Sequence, residues 1–444
     1  MKLAPPPYTV DVRPPTTHIP AGVYFSLETP LPGAQADSLV IEVAGWVAHT
    51  DRCEIAAPAE VAILVNGDEW LASRVDLARG DVGPSIQENF GETISSNLNG
   101  FSFTLPVHLS VKPETVYTLV ALLGPERHPG YVIATISFSS RTDWLDHGSP
   151  AKTLAPVLIN SLGRSGSSVL CRILAAHPAI YCARGANQFG ELRVLEFISR
   201  LVSVASSEGS SRDLNKLEAR LDFHSLDAPA FASRILSGAD QQNCGERNLL
   251  VYMSANVVKF AQGYLAEYFA QIEKSKPDAE YLVEKSWNIL STNNLRIFSE
   301  NVKEIFLVRH PRDLWNSQIA FLRKEHISDE DLGLRKRALA QQFRAIGRAW
   351  RDRRGYAILV HYEDFLTNPD QTLAQIFKYL GRDLDPVFAE KAAGMLGDSS
   401  DHAQMLRTHA DGQFDAEFDA YLRDLESSTR EDFLRSAQDL GYEL

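Results

Sequence analysis

The chain has 444 residues, of which 44% are hydrophobic and 23% charged, a balance that suits a folded protein with a large core and more than one domain. Lys and Arg number 44 against 57 Asp and Glu, a net charge of −13, so the molecule as a whole repels a polyanion and nucleic acid is excluded as a partner. No stretch reaches the roughly 18 apolar residues of a membrane span, so any anionic ligand must be held by a local basic pocket.

The N-terminal MKLAPPPYTVDVRPP has no apolar core of the kind a secretory signal needs. Cys53, Cys171, Cys182 and Cys244 are scattered without metal-type pairing, which suits reduced thiols, no metal centre and a cytoplasmic setting. Over residues 1–148, short strand-like runs (SLVIEVAGWV, EVAILVNG, GFSFTLPV, VYTLVALLG, YVIATISF) alternate with turn-rich segments, which predicts a β-sandwich-like accessory domain. Asn66-Gly67 between two apolar runs predicts a hairpin. Trp46 and Trp70 offer stacking faces for a sugar, although a tryptophan in a sandwich is more often core. The RTDWLDHGSPAKT segment, 141–153, reads as a linker into a second domain over 149–444.

That domain is organised around VLINSLGRSGSSVLCRILAA, 157–176: a buried strand, a turn over Gly163 to Ser168, and a helix from Val169. The loop amides and the helix N-terminus together form an anion site. Gly163 and Gly166 permit positive φ and close approach; Ser165, Ser167 and Ser168 supply hydroxyls, and Arg164 a fixed charge. A nucleotide hydrolase has four residues between its loop glycines, followed by Lys and Ser or Thr. Here two residues separate the glycines and no Lys follows, so the loop reads as phosphate-binding without the metal-holding pattern, against the alternative of a plain strand-to-helix turn.

After a break at His177-Pro178 the chain is helix-rich over about 191–271, and three further strands are predicted at 281–285, 304–309 and 357–362. Alternation of strands and helices predicts an α/β fold with a mostly parallel sheet flanked by helices. The strands end in Arg164, Lys285, Arg309 and His361-Tyr362, and ligands of open α/β sheets bind outside the carboxyl ends of the strands. In EIFLVRHPRDLWNSQIAF, a helix over about 312–321 carries Ser317 eight positions after Arg309, so the two can grip one phosphate from two sides. The alternative is that Arg309 pairs with Glu304 or Asp313.

Together, SLGRSGSS, LVRHPRDLWNS and VHYEDFLTNPDQTLAQIFKYLG resemble, in order and spacing, the sulfotransferases that use 3′-phosphoadenosine 5′-phosphosulfate (PAPS). The likeness spans about 157–381, with a fainter tail in DLGYE, 439–443, and the β-domain is weakly similar to those attached to bacterial carbohydrate-modifying transferases. The resemblance implies a P-loop-type α/β fold. By it, Gly163, Arg164, Ser165, Gly166, Ser167 and Ser168 hold the 5′-phosphosulfate of PAPS, and Arg309 and Ser317 its 3′-phosphate. The GELRV segment is similar to one in tyrosylprotein sulfotransferases, which implies Glu191 as the base, Arg193 as a residue orienting the acceptor, Lys285 at the donor–acceptor junction and Tyr362 against the donor. Cytosolic members carry Lys where this chain has Arg164, and their C-terminal basic motif has only Arg407 as a substitute.

Sulfuryl transfer places charge on the leaving oxygen, so Arg164 and Lys285 are the expected cations there, and an alcohol or amine acceptor must lose a proton to Glu191. Glu191 also reads as a carboxylate at a helix start, Lys285 as a partner for a surface carboxylate, and His310 as another base. Glu363-Asp364 cap or tether the last helix. The expected acceptor is a glycan, a protein tyrosine or a lipid-linked glycan, and no metal is needed. A P-loop kinase and a non-catalytic carbohydrate-binding protein are the competing readings.

Overall fold

The computed structural model describes residues 8–15, 19–31, 35–36, 40–65, 67–94, 96–106, 115–124, 126–140, 154–183, 194–199, 244–286, 295–296, 298–299, 301–324, 329–397 and 415–444. Its contacts divide the chain into two compact units. One comprises Met1–Ser149, Ile198–Tyr264 and Asn293–Glu300, the other Pro150–Phe197, Leu265–Thr292 and Asn301–Leu444.

In the first unit, β1 (Tyr8–Arg13), β2 (Val23–Thr29), β3 (Gln35–Ala36), β4 (Val40–His49), β5 (Pro58–Val65), β6 (Asp68–Arg74), β7 (Leu77–Ala78), β8 (Leu98–Pro106), β9 (Val116–Leu123) and β10 (His128–Ser140) form two antiparallel sheets, with α1 (Val82–Phe90) between β7 and β8. One sheet runs β3-β1-β10-β9-β5-β6 and the other β2-β4-β8-β7. Period-2 alternation builds the shared core: Ile41 and Val43 of β4 and Phe101, Phe103 and Leu105 of β8 are buried while Glu42 is exposed. Phe25 of β2 stacks on Tyr131 of β10, and the Ser73 hydroxyl donates to the Ser102 carbonyl at 3.0 Å, so the two sheets face each other as a sandwich. Val65 opposes Asp68 across the predicted hairpin, though Asn66 lies outside the described residues. Trp70 stacks on the buried Tyr117, and Trp46 packs on Ala48, Val82 and Ile86, so both tryptophans serve the core.

In the second unit the sheet is parallel throughout, in the order β12 (Ile180–Cys182), β13 (Tyr281–Ser286), β11 (Ala155–Ser161), β14 (Lys303–Val308), β15 (Ile358–His361). Val157, Leu158 and Ile159 of the central strand are all inaccessible, as expected of a strand covered on both faces. On one face lie α2 (Ser167–Ala175), α6 (Tyr362–Thr367), α7 (Pro369–Tyr379) and α8 (Pro386–Gly397), packed on Val157, Ile159, Ile305, Leu307 and Val360. On the other, α4 (Pro311–Lys324), α5 (Asp329–Arg353), α9 (Asp415–Asp424) and α10 (Ser427–Asp439) pack on Phe306 and Val308. A long helix, α3 (Cys244–Ser275), leads into β13. None of the described helices is long and apolar enough to cross a membrane.

Two polar devices, one partly and one fully buried, hold this sheet. The Lys276 ammonium donates to the carbonyls of Ala175, His177 and Ile180 at 3.2, 2.8 and 2.5 Å, closing the end of α2 where the chain turns at His177-Pro178. Glu304, wholly buried on β14, accepts from Arg353 at 2.8 Å and from Asn160 at 2.6 Å. Glu304 is therefore committed to Arg353, and the expected alternative of a Glu304–Arg309 pair does not form.

In the second unit three elements differ from expectation. Helix α2 begins at Ser167 instead of Val169, because Gly166 in the left-handed conformation supplies its N-cap. Strand β15 ends at His361, and Tyr362 opens α6, whose first turn carries Glu363 and Asp364 at the positive end of the helix. The three-residue β12, too short to show periodicity, was not expected.

Candidate active site

From β11 the chain runs first to β12 and then back to β13, both on one side, and then to β14 and β15 on the other, so the direction of winding reverses about β11. A crevice at the carboxyl ends of the strands is the expected ligand position there. The loop after β11 occupies it. Gly163 is exposed, Arg164 has φ +75° and Gly166 φ +85°. A Cβ on Gly166 would lie 2.2 Å from Cε2 of Tyr362, so no side chain fits: the ring is pressed flat beneath the loop. The Ser165 hydroxyl points inward and donates to the Leu162 carbonyl at 2.8 Å, so it braces the turn from within. Beyond Gly166, Ser167 and Ser168 begin α2; the Val169 and Leu170 amides close on the Gly166 carbonyl at 3.0 and 3.1 Å, and those of Ser167 and Ser168 are the ones a helix start leaves without an intrahelical acceptor.

Three cations surround this loop. Lys285, on β13 and 2% exposed, donates from Nζ to the Ser168 hydroxyl at 2.9 Å. That burial removes the alternative in which Lys285 pairs at the surface. Arg309, one residue past β14 and 6% exposed, donates from Nη1 to the Arg164 carbonyl at 3.2 Å and lies over the Tyr362 ring, 5.1 Å from its centroid. No carboxylate among the described residues pairs with Arg309. The Arg164 guanidinium stands 5.0 Å over Phe321 of α4, and its pKa is lowered first by burial and then by the charge of Arg309. Burial likewise pushes the Tyr362 hydroxyl up to about 12, so the ring under Arg309 stays neutral. Two like charges drawn together around a loop of amides make a pocket in which an anion relieves repulsion.

Helix α4 is fastened to the loop by Gln318, whose Nε2 donates to the Gly163 carbonyl at 3.1 Å. The preceding residue, Ser317, is 2% exposed, and its hydroxyl makes no hydrogen bond to a described residue. Arg309, Ser317 and the 163–168 loop are thus brought together by the fold. Tyr362 is behind them, its ring supporting Gly166 and Arg309.

Glu191 and Arg193 lie outside the described residues, as does Arg407. The chain is described again from Val194, and the Leu195 amide donates to Glu284 Oε2 at 2.8 Å. Glu284 precedes Lys285, is wholly buried, and is pushed up to about 7 by desolvation, its bonds to the Leu195 and Val194 amides pulling the other way. It joins the 194–199 helix to β13, a role that the sequence shows only as an acidic residue in an apolar strand. Gln318 and Phe321 also escaped notice, because they follow Ser317 in a stretch where any amphipathic helix has polar and aromatic positions.

No curated relative matches the chain. Among solved structures it is similar to the sulfotransferase domain of the olefin synthase of Synechococcus PCC 7002, at 20% identity over 69% of this chain and 100% of that one, with a TM-score of 0.36. The sulfotransferase domain of the curacin biosynthetic pathway gives 18% identity over 66% and 100%, TM-score 0.36. Sulfotransferase STF9 of Mycobacterium avium gives 13% over 57% and 69%, TM-score 0.32. A family model described as the sulfotransferase family matches residues 156–386, more than half of the sequence, from the first residues of β11 to the start of α8. By that match the chain belongs to the sulfotransferase family.

Proposed function

We propose that this sulfotransferase moves the sulfuryl group of PAPS to a hydroxyl or amine, by in-line displacement and without a metal. The observation that carries the reading is Arg309: a buried guanidinium, with no described carboxylate partner, held against the carbonyl of the glycine loop. Buried charge is costly unless it is paired, so its counter-ion is expected from the ligand. The residues fit PAPS: the loop and the start of α2 would take the 5′-phosphosulfate, and Arg309 with the unpartnered Ser317 hydroxyl the 3′-phosphate. PAPS supplies an activated sulfuryl group on a phosphate leaving group. Lys285 and Arg164 would stabilise charge on the departing oxygen, Ser167 and Ser168 would orient it, and Glu191 would take the acceptor proton while Arg193 orients the acceptor. A kinase reading is weaker, because Arg309 stands at the strand end where a nucleotide hydrolase has an Asp for magnesium.

Residues 1–148, which carry β1 to β10, are proposed as an accessory domain, with 149–444 carrying the transfer chemistry, on a glycan, peptide tyrosine or lipid-linked glycan in the cytoplasm, although contacts group 198–264 and 293–300 with the first of these. The test is transfer of label from radiolabelled PAPS to a panel of peptides and glycans, together with retention on immobilised adenosine 3′,5′-bisphosphate. Failure to be retained would overturn the reading. Within it, Arg309→Ala should weaken binding of the bisphosphate by roughly 1.5–3 kcal/mol, the value of a charge-assisted contact. The analogue lacking the 3′-phosphate should bind wild type and variant alike in calorimetry.

A further inference from the structure

The DLGYE tail has no part in the chemistry above, yet it lies against the same strand ends. Leu440 is wholly buried in the cluster that contains Val308 and Leu162. Gly441 then reverses the chain at φ +81°, so close to His361 that a Cβ would lie 3.2 Å from its Nε2. That nitrogen donates to the Leu440 carbonyl at 2.8 Å. The Tyr442 ring enters edge-on between two imidazoles, 5.3 Å from His310 and 5.1 Å from His361. Its hydroxyl donates to Glu363 Oε2 at 3.0 Å, and the other oxygen of the same carboxylate accepts the His310 amide at 2.8 Å.

The His310 amide belongs to the peptide plane that follows Arg309, so fixing it fixes the backbone torsion from which the Arg309 side chain departs. Glu363 also follows Tyr362, whose ring supports the guanidinium. One carboxylate therefore fixes the backbone behind Arg309 and stands next in the chain to the ring beneath it, and Tyr442 holds that carboxylate. We propose that Tyr442 is a positioning residue for Arg309: through Glu363 it sets the guanidinium at the place where the donor's 3′-phosphate is gripped. This rests on the PAPS reading, since it assigns the tail to the 3′-phosphate half of that site. Sites that hold a charged group to within about half an ångström depend on such supporting bonds, and losing one leaves the contact present but loose.

The experiment is calorimetric titration of wild type, Tyr442→Phe, Arg309→Ala and the double variant with adenosine 3′,5′-bisphosphate and with adenosine 5′-monophosphate. Tyr442→Phe removes the hydroxyl and keeps the ring. It should weaken the bisphosphate on the order of 5–10-fold, the value of a hydrogen bond to a charged group softened by its indirect action. The monophosphate should be unaffected. In the Arg309→Ala background the same substitution should add nothing, because its route is gone. If Tyr442→Phe weakens both nucleotides equally, or adds its full effect to Arg309→Ala, the tail is a packing element only and the proposal fails. If wild type prefers the bisphosphate and Tyr442→Phe matches it, the proposal fails alone. If wild type has no such preference, the PAPS reading fails and the proposal with it. Should Tyr442→Phe not fold, Glu363→Gln tests the same link from its other side, with the same outcomes deciding.

Discussion

Lys285→Ala should lower turnover by roughly 10²–10³ with every acceptor, because it removes a preorganised cation from the position where the leaving oxygen gains charge. The expectation follows from place as much as type. The ammonium is 2% exposed and directed at Ser168 in the first turn of α2, so water cannot replace it cheaply. Arg164→Ala should act in the same way, since it removes the other cation, the one that the loop itself carries. Donor affinity should change less than turnover, because the interaction grows as charge develops. Single-turnover rates with a labelled donor measure this. A Lys285→Ala enzyme within threefold of wild type would remove the residue from the chemistry, whatever its contact with Ser168.

Glu191→Gln should lower turnover by about 10²–10⁴ while donor affinity stays nearly intact, since the amide keeps size and hydrogen bonding but cannot accept the acceptor's proton. Losing a base hurts a sugar alcohol more than a more acidic phenol, whereas losing Lys285 hurts both to a similar degree. A plot of rate against acceptor pKa for the two variants therefore separates their roles. Wild-type turnover in Glu191→Gln would move the base elsewhere, and His310 would be next to test. His310 has a local commitment, its Nδ1 accepting the Arg312 amide at 3.3 Å, so it starts as the weaker choice.

The parts of the site legible in the sequence are those in which one short segment sets its own geometry. The glycine loop is legible because Gly163 and Gly166 bracket Arg164 and Ser165 between an apolar run and a helix, a pattern that a plain strand-to-helix turn shares in part. Arg309 and Ser317 are legible because one strand-to-helix connection carries both. Tyr362 is expected as the last residue of a strand and instead opens α6, and its support of Gly166 and Arg309 needs the return of a strand nearly two hundred positions after the loop. Glu284 is hidden for a different reason: its meaning is set by burial and by two amides, neither of which a sequence displays. In the first unit the alternating runs gave their strands, whereas β1 and β2 sit among prolines that read as irregular, and α1, VGPSIQENF, opens with a Gly-Pro that reads as a turn.

The backbone of Arg164 has one more consequence. At φ +75° a residue with a side chain costs on the order of 1–2 kcal/mol relative to the right-handed region, and only glycine escapes that cost. The guanidinium is further held near a second one, so the residue is uncomfortable twice over. Its stacking over Phe321 is one of its contacts and is worth about 0.5–1 kcal/mol. Arg164→Gly should relieve that backbone cost while losing most of its turnover, which a thermal scan and a rate measurement read separately. A laboratory selection that rewarded heat resistance alone would discard this arginine early, and its lineages would grow hardier as they forgot the reaction.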